Sequence, residues 1–272
     1  MMPLPAAIFL LLGIGLLGMA FRTIAHPIAQ KVAILCLFSI SFLIGWLPSG
    51  SIVSGFIGLS VWLVLPWLEI LTRVRNLRLP VEKKLQDKRP PSREQFPDLD
   101  ELSTEIEALN FEHVEDTGWN WEKQEQFFRL FYRAEDNLQA AICSIQQDQV
   151  SFFYLSLSTR TADGKLWTTW NYPFSSALQP SPNLQLQRAS AYSDFEELLE
   201  QHQLFLIKNN VAVPISLDAD AMREALQTDL RLQIEHNLRT GVLLPSEEGQ
   251  VRYSWRGLFF IWAQFVRDFI RL

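Results

Sequence analysis

Between residues 3 and 72 the chain carries only three charged residues, Arg22, Lys31 and Glu69. That scarcity limits what the chain can fold into more than any other feature. Three apolar stretches fill the interval. Pro3 to Phe21 is uncharged and close to the ~20 residues that a bilayer core requires. Val32 to Leu47 is shorter, but extends back through Ile28 when Lys31 snorkels to the interface. Ile52 to Leu71 is interrupted only by Pro66 and Glu69. Pro48-Ser49-Gly50-Ser51 is too short to do more than reverse the chain, so the second and third stretches read as a helical hairpin. Ser41/Gly45, Ser51/Gly55 and Ser54/Gly58 place small residues four apart, a spacing that lets membrane helices approach closely. Residues 1–72 are therefore expected to form a multi-pass anchor of three transmembrane helices.

The basic residues orient this anchor. The first connection holds Arg22 and Lys31, the second holds no basic residue, and the third stretch runs into RVRNLRLPVEKK. Retention of positive segments inside a cell membrane puts the N-terminus outside and the remainder of the chain in the cytoplasm. A cleaved signal peptide is the rival reading, but MMPLP lacks a basic start and cleavage would export the basic run after Leu71. Cys36 lies in the second stretch and Cys143 far beyond it, a usage that suits a reducing compartment.

Hydrophobic residues make up 48% of the 272, yet mean hydropathy is only +0.05, because the polar remainder offsets the apolar start. Residues 73–97 read as a basic, proline-containing tether. Arg73, Arg75 and Arg78 open it, and a basic segment in this position is attracted to anionic lipid. Residues 94–250 hold 10 basic and 26 acidic residues, a net of −16, and the last 22 residues have a net of +3. An acidic body between basic ends is a poor partner for nucleic acid, whose affinity rests on phosphate contacts.

Residues 98–272 are expected to fold as a cytoplasmic α+β domain, an antiparallel β-meander flanked by helices. Asp98 to Glu101 supply acidic residues for a helix start, and Leu99, Leu102, Ile106 and Leu109 follow at helical spacing. QFFRLFYRA, LQAAICSI, VSFFYLSLSTR and KLWTTWNY recur about every twelve residues as strands, with Asp163-Gly164 as a hairpin turn. A segment around His113–Trp119 adds an edge strand. Two of these strands are apolar on both faces: Phe127/Phe131 against Phe128/Leu130/Tyr132, and Phe152/Tyr154 against Phe153/Leu155/Leu157. A sheet with one wet face alternates apolar and polar residues, so both sides here require cover. Helices on each face meet that need; a concave apolar pocket or partner surface is the functional alternative.

After Pro173, Pro180 and Pro182, Ser193-Asp194-Phe195-Glu196 has capping-box spacing, and a helix is expected from there to about Ile207. A longer helix is expected from about Asp218 to Thr240, ended by Gly241. A short strand at Val251–Tyr253 precedes a closing amphipathic helix over 256–272. Trp255 leads into it, and Phe259, Trp262, Phe265 and Phe269 lie on its apolar side opposite Arg256, Gln264, Arg267, Asp268 and Arg271. These residues suit a helix lying in the lipid interface, with Arg73, Arg75 and Arg78 contributing at the same level. Docking of the helix on the sheet is the alternative.

Chemistry-bearing residues are sparse. His113 lies among Glu112, Glu115 and Asp116; His202 sits on the capped helix, where an exposed or half-buried position is expected; Glu69 ends the third stretch beside Arg73. HxxxH, HExxH and CxxC spacings are absent, so neither metal nor cofactor is expected. Cys143 alternates with Ala141 and Ile145 as a small strand residue. The reading that follows is a membrane-anchored interaction or sensing module with a protein partner and no evident catalytic chemistry. A domain binding a lipid or apolar small molecule at the membrane surface is the alternative, and an enzyme is the least supported class.

Overall fold

The computed structural model describes residues 3–24, 26–122, 124–147, 150–191, 193–211, 214–216, 221–247 and 249–271. The expected start of the long helix at Asp218, the turn at Asp148 and the terminal Leu272 lie outside the described residues, as do the side chains of Ile270 and Arg271. The chain divides into two compact units, residues 1–76 with 258–272, and residues 77–257.

The first unit contains α1 (Leu4–Arg22), α2 (Pro27–Ser49) and α3 (Ile52–Thr72), each long and apolar enough to cross a membrane. Proline occupies the first turn of α1 and α2, where its missing N–H costs nothing. Gly50 ends α2 at φ 66°, and its N–H donates to the Trp46 carbonyl at 2.8 Å. That left-handed residue turns the chain straight into α3. The small residues lie at the resulting helix contact. A Cβ on Gly45 would collide with the Ser54 carbonyl, and one on Gly58 with the Ser41 carbonyl. Trp62 Nε1 donates to Ser41 Oγ across the same contact at 2.8 Å. Phe9, Leu16, Ile28, Val53, Ile57 and Leu68 are exposed.

The last helix, α7 (Trp255–Arg271), belongs to this unit from Leu258 onward. Its apolar side has partners on α2 and α3. Phe259 meets the edge of Trp67 at 4.8 Å, and Trp262 stacks on Trp67 while its Nε1 donates to the Leu63 carbonyl at 2.8 Å. Phe269 stacks on Trp62 at 5.8 Å and meets Phe38 edge-on at 5.6 Å.

The second unit carries two sheets. The smaller, in the order β1-β10-β9, joins β1 (Arg78–Pro80), β9 (Leu243–Pro245) and β10 (Gln250–Tyr253), all antiparallel. The larger has seven strands: β2 (Gln86–Asp87), β3 (Glu112–Trp121), β4 (Gln124–Arg133), β5 (Leu138–Gln147), β6 (Val150–Arg160), β7 (Leu166–Trp170) and β8 (Leu184–Arg188). These lie in sequence order, antiparallel as far as β7, but β8 pairs parallel to β7, so the sheet is mixed rather than a pure meander. The connection over 171–183 carries the chain back to the start of β7, which forces the parallel pairing.

The segment read as a tether contributes β1 and β2, and three of its apolar residues, Leu79, Leu85 and Phe96, are buried, which holds it against the second unit despite its prolines and charges.

Both faces of the large sheet are covered. On one side α4 (Leu99–Ala108) and α5 (Phe195–Lys208) close over Phe127, Phe131, Ile142, Leu155 and Leu157. Asp194 caps α5, its carboxylate accepting from Glu197 N at 2.8 Å, one residue later than the capping-box spacing implied. On the other side lies α6 (Met222–Arg239), ended by Gly241 at φ 72°. Its Gln227 side chain accepts from Leu85 N at 2.9 Å, and Asn237 and Gln233 hold the 179–181 loop.

Candidate functional site

On the α6 side of the sheet lies an open-mouthed cavity of about 330 Å³. Its walls follow from the pleat, which sends alternate residues to this face. β4 supplies Phe128 and Leu130, β5 supplies Ala141 and Cys143, β6 supplies Tyr154 and Ser156, and α6 supplies Met222, Leu226 and Leu230. Ala141 pairs with Ser156 in register and Ser156 with Trp170. Two small side chains therefore sit between larger neighbours, and α6 does not fill the gap they leave.

Each end of the cavity is polar. At one end Trp119 Nε1 donates to Gln126 Oε1 at 3.0 Å, and the Tyr154 hydroxyl faces Gln126 and the Cys143 thiol. Burial pushes the Cys143 thiol up to about 12 and the Tyr154 phenol well above its ordinary value, so both stay protonated at neutral pH. Lys83 lines the same end, with its Nζ 4.6 Å from the centre of the Trp119 ring, and burial lowers its pKa to about 8. At the other end Arg160 forms a two-pronged ion pair with Asp229, and Ser158 bonds Thr168 at 2.9 Å. Burial raises the Asp229 carboxyl above its ordinary value despite the guanidinium beside it.

The residues singled out from sequence lie elsewhere. His202 is not exposed or half-buried but completely buried, with Nε2 3.0 Å from Thr159 Oγ1 and Nδ1 2.9 Å from Thr169 Oγ1. It pins α5 to the sheet, and burial drives its pKa down to about 4. His113 is half-exposed on β3, 3.1 Å from Asp116, whose carboxylate also takes both prongs of Arg129. Glu69 pairs with Arg73 at 3.2 Å. Arg73 and Arg75 are exposed, whereas Arg78 lies in β1 opposite Arg252, and its carbonyl accepts from Trp121 Nε1. Trp255 and Phe265 are exposed, and Phe259, Trp262 and Phe269 make the ring contacts described above. Among the described residues no group of three or more His, Cys, Asp and Glu is placed to hold a metal ion.

Cys143 and Tyr154 were visible in sequence only as strand residues, and Lys83, Gln126, Arg160 and Asp229 carried no signal of their own. The doubly apolar strands were the one available pointer. Compared with known proteins, the chain matches no family model, no curated protein and no solved structure.

Proposed function

We propose that this chain is a membrane-anchored binding module that takes up a small apolar ligand in the cavity beneath α6 and performs no chemistry on it. The cavity itself carries the reading. Its volume of about 330 Å³ falls within the range of small-molecule sites, and its walls are apolar with a few convergent polar groups. Cys143, which lines it, is held as the neutral thiol, which supports binding over thiol chemistry.

In this proposal α1–α3 insert into the cell membrane with the N-terminus outside and the sheet-bearing unit in the cytoplasm. The apolar outer faces of those helices and the distribution of Arg22, Lys31 and the basic run after Leu71 support it. In a sensing module such a cavity supplies the input, so the reading gives the interaction-or-sensing expectation a physical site. Native mass spectrometry of the full-length chain, released from detergent micelles, tests it. The expected result is a non-covalent adduct of a few hundred daltons that disappears in Ala141→Trp. Recovery of the unliganded mass alone from both proteins would refute the proposal.

A further inference from the structure

The chemistry of the ligand can be narrowed from the charges around the cavity; this step rests on the ligand reading above. Three formal charges line it, Lys83, Arg160 and Asp229. Arg160 and Asp229 neutralise each other. Lys83 has no carboxylate partner among the described residues. Other acids of β2, β3 and β4 pair elsewhere: Arg223 holds Asp87 and the Oε2 atom of Glu115, and Lys88 holds Glu125 at 2.8 Å. Glu82, next to it in the chain, is exposed. The ammonium therefore rests against an indole face with its charge uncompensated, and its lowered pKa reflects that burial.

At that end Trp119 and Gln126 are bonded to each other, and the half-buried Lys83 ammonium is the group with no acidic partner among the described residues. Toward the other end Gln139 Nε2 and Arg160 Nε are buried without a hydrogen-bond partner. Between the two ends apolar side chains of β4, β5 and α6, among them Leu130, Ala141, Leu226 and Leu230, line the space opposite the polar β6 residues Ser156 and Ser158, and the lining extends from Tyr154 to Arg160, six residues or roughly 20 Å of strand. A single alkyl chain laid along the strand direction fits that space.

We propose that the cavity binds a single-chain amphiphile bearing a carboxylate, with the head on Lys83 beside Trp119 and the tail between the sheet and α6. Binding completes the charge balance, since one anion neutralises the one unpaired cation. Lys83 supplies selectivity for the head and the apolar walls supply most of the affinity.

The test uses the full-length chain in nanodiscs of zwitterionic lipid, with empty nanodiscs as the blank. Dodecanoate and dodecanol compete against an uncharged polarity-sensitive dye. Dodecanoate is expected to displace the dye at a concentration at least about tenfold lower than dodecanol, the scale of a charge-assisted contact. Lys83→Met should remove that preference while leaving dodecanol unchanged, which also reports that the cavity is intact, and Lys83→Arg should retain it. Equal binding of acid and alcohol, or a preference that survives Lys83→Met, overturns the head-group assignment and leaves the apolar cavity standing. Tighter binding of dodecyl phosphate than of dodecanoate overturns the carboxylate. Failure of the dye and of both competitors to bind sinks this inference and the ligand reading together.

Discussion

The two faces of the seven-stranded sheet are built from the same strands, residue by residue in alternation, and they fill differently. Toward α4 and α5 large side chains meet in a packed core: Phe131, Ile142, Leu157 and Leu198 are completely buried. Even the histidine on that side is fully occupied, each ring nitrogen meeting a threonine hydroxyl. Toward α6 the middle positions are Ala141 and Ser156, the gap stays open, and a lysine faces it without an acid. A sheet needs one well-packed face to hold its register. With that need met on the α4/α5 side, the other face is free to keep a space that packing alone would close.

Four measurements sharpen or break this contrast, beginning with the largest effect. Phe131→Ala on the packed face should cost about 4 kcal/mol in denaturant unfolding of the full chain, whereas Leu230→Ala over the cavity should cost about 1 kcal/mol. Similar losses would mean that the two faces are equally packed. The second measurement concerns pH. His202 has its pKa lowered to about 4, so between that value and its ordinary 6.5 the unfolded chain binds a proton that the native chain refuses. Stability should therefore fall as pH drops from 6.5 to about 4, by about 3 kcal/mol in total, and level off below. A flat profile across that window would remove the buried neutral imidazole.

The third uses neighbours. Ala140 is buried on the packed face and Ala141 lies on the cavity face. Ala140→Leu should overpack and lower stability by about 2 kcal/mol, while Ala141→Leu should change it by less than about 1 kcal/mol and reduce ligand uptake. The smallest effect concerns empty-state stability. A half-buried ammonium with no acidic partner is a small cost, so Lys83→Met should raise the melting temperature of the ligand-free chain slightly while abolishing acid selectivity. A lowered melting temperature would show that Lys83 has a structural partner.

Much of this fold is legible in sequence because periodicity is a local signal. β3 to β7, α4, α5 and α7 fall close to where their patterns put them, and Gly50 and Gly241 turn the chain where glycine was expected to. What escaped depends on distant partners. LQLQR over 184–188 is polar at alternate positions and flanked by prolines, and it becomes a strand only because β7 offers a parallel edge. β1 and β2 are a few residues long and are fixed by β10 and β3, which no local pattern announces. The closing helix reads as lying in the lipid interface or docked on the sheet, and the partners its rings find on Trp62 and Trp67 of α3 are about 200 positions away in the chain, beyond any local pattern. The doubly apolar strands did call for cover on both sides, and two helices on one side and one on the other supply it. Which face would stay open was decided by Ala141 and Ser156, whose size matters only once Trp170 and α6 stand beside them. Lys83 was one of eight cations in a basic segment, and only the fold separates it from the rest.

The central claim is that one face of the sheet is a ligand site. Photocrosslinking of the full-length chain in nanodiscs with a diazirine-bearing dodecanoate tests it directly. The account predicts labelled peptides from β4 to β7 and α6, on residues such as Phe128, Tyr154, Trp170 and Leu226, with competition by unlabelled dodecanoate. Labelling confined to the outer surfaces of α1–α3, or spread equally over the Phe131 and Leu157 face, would contradict it.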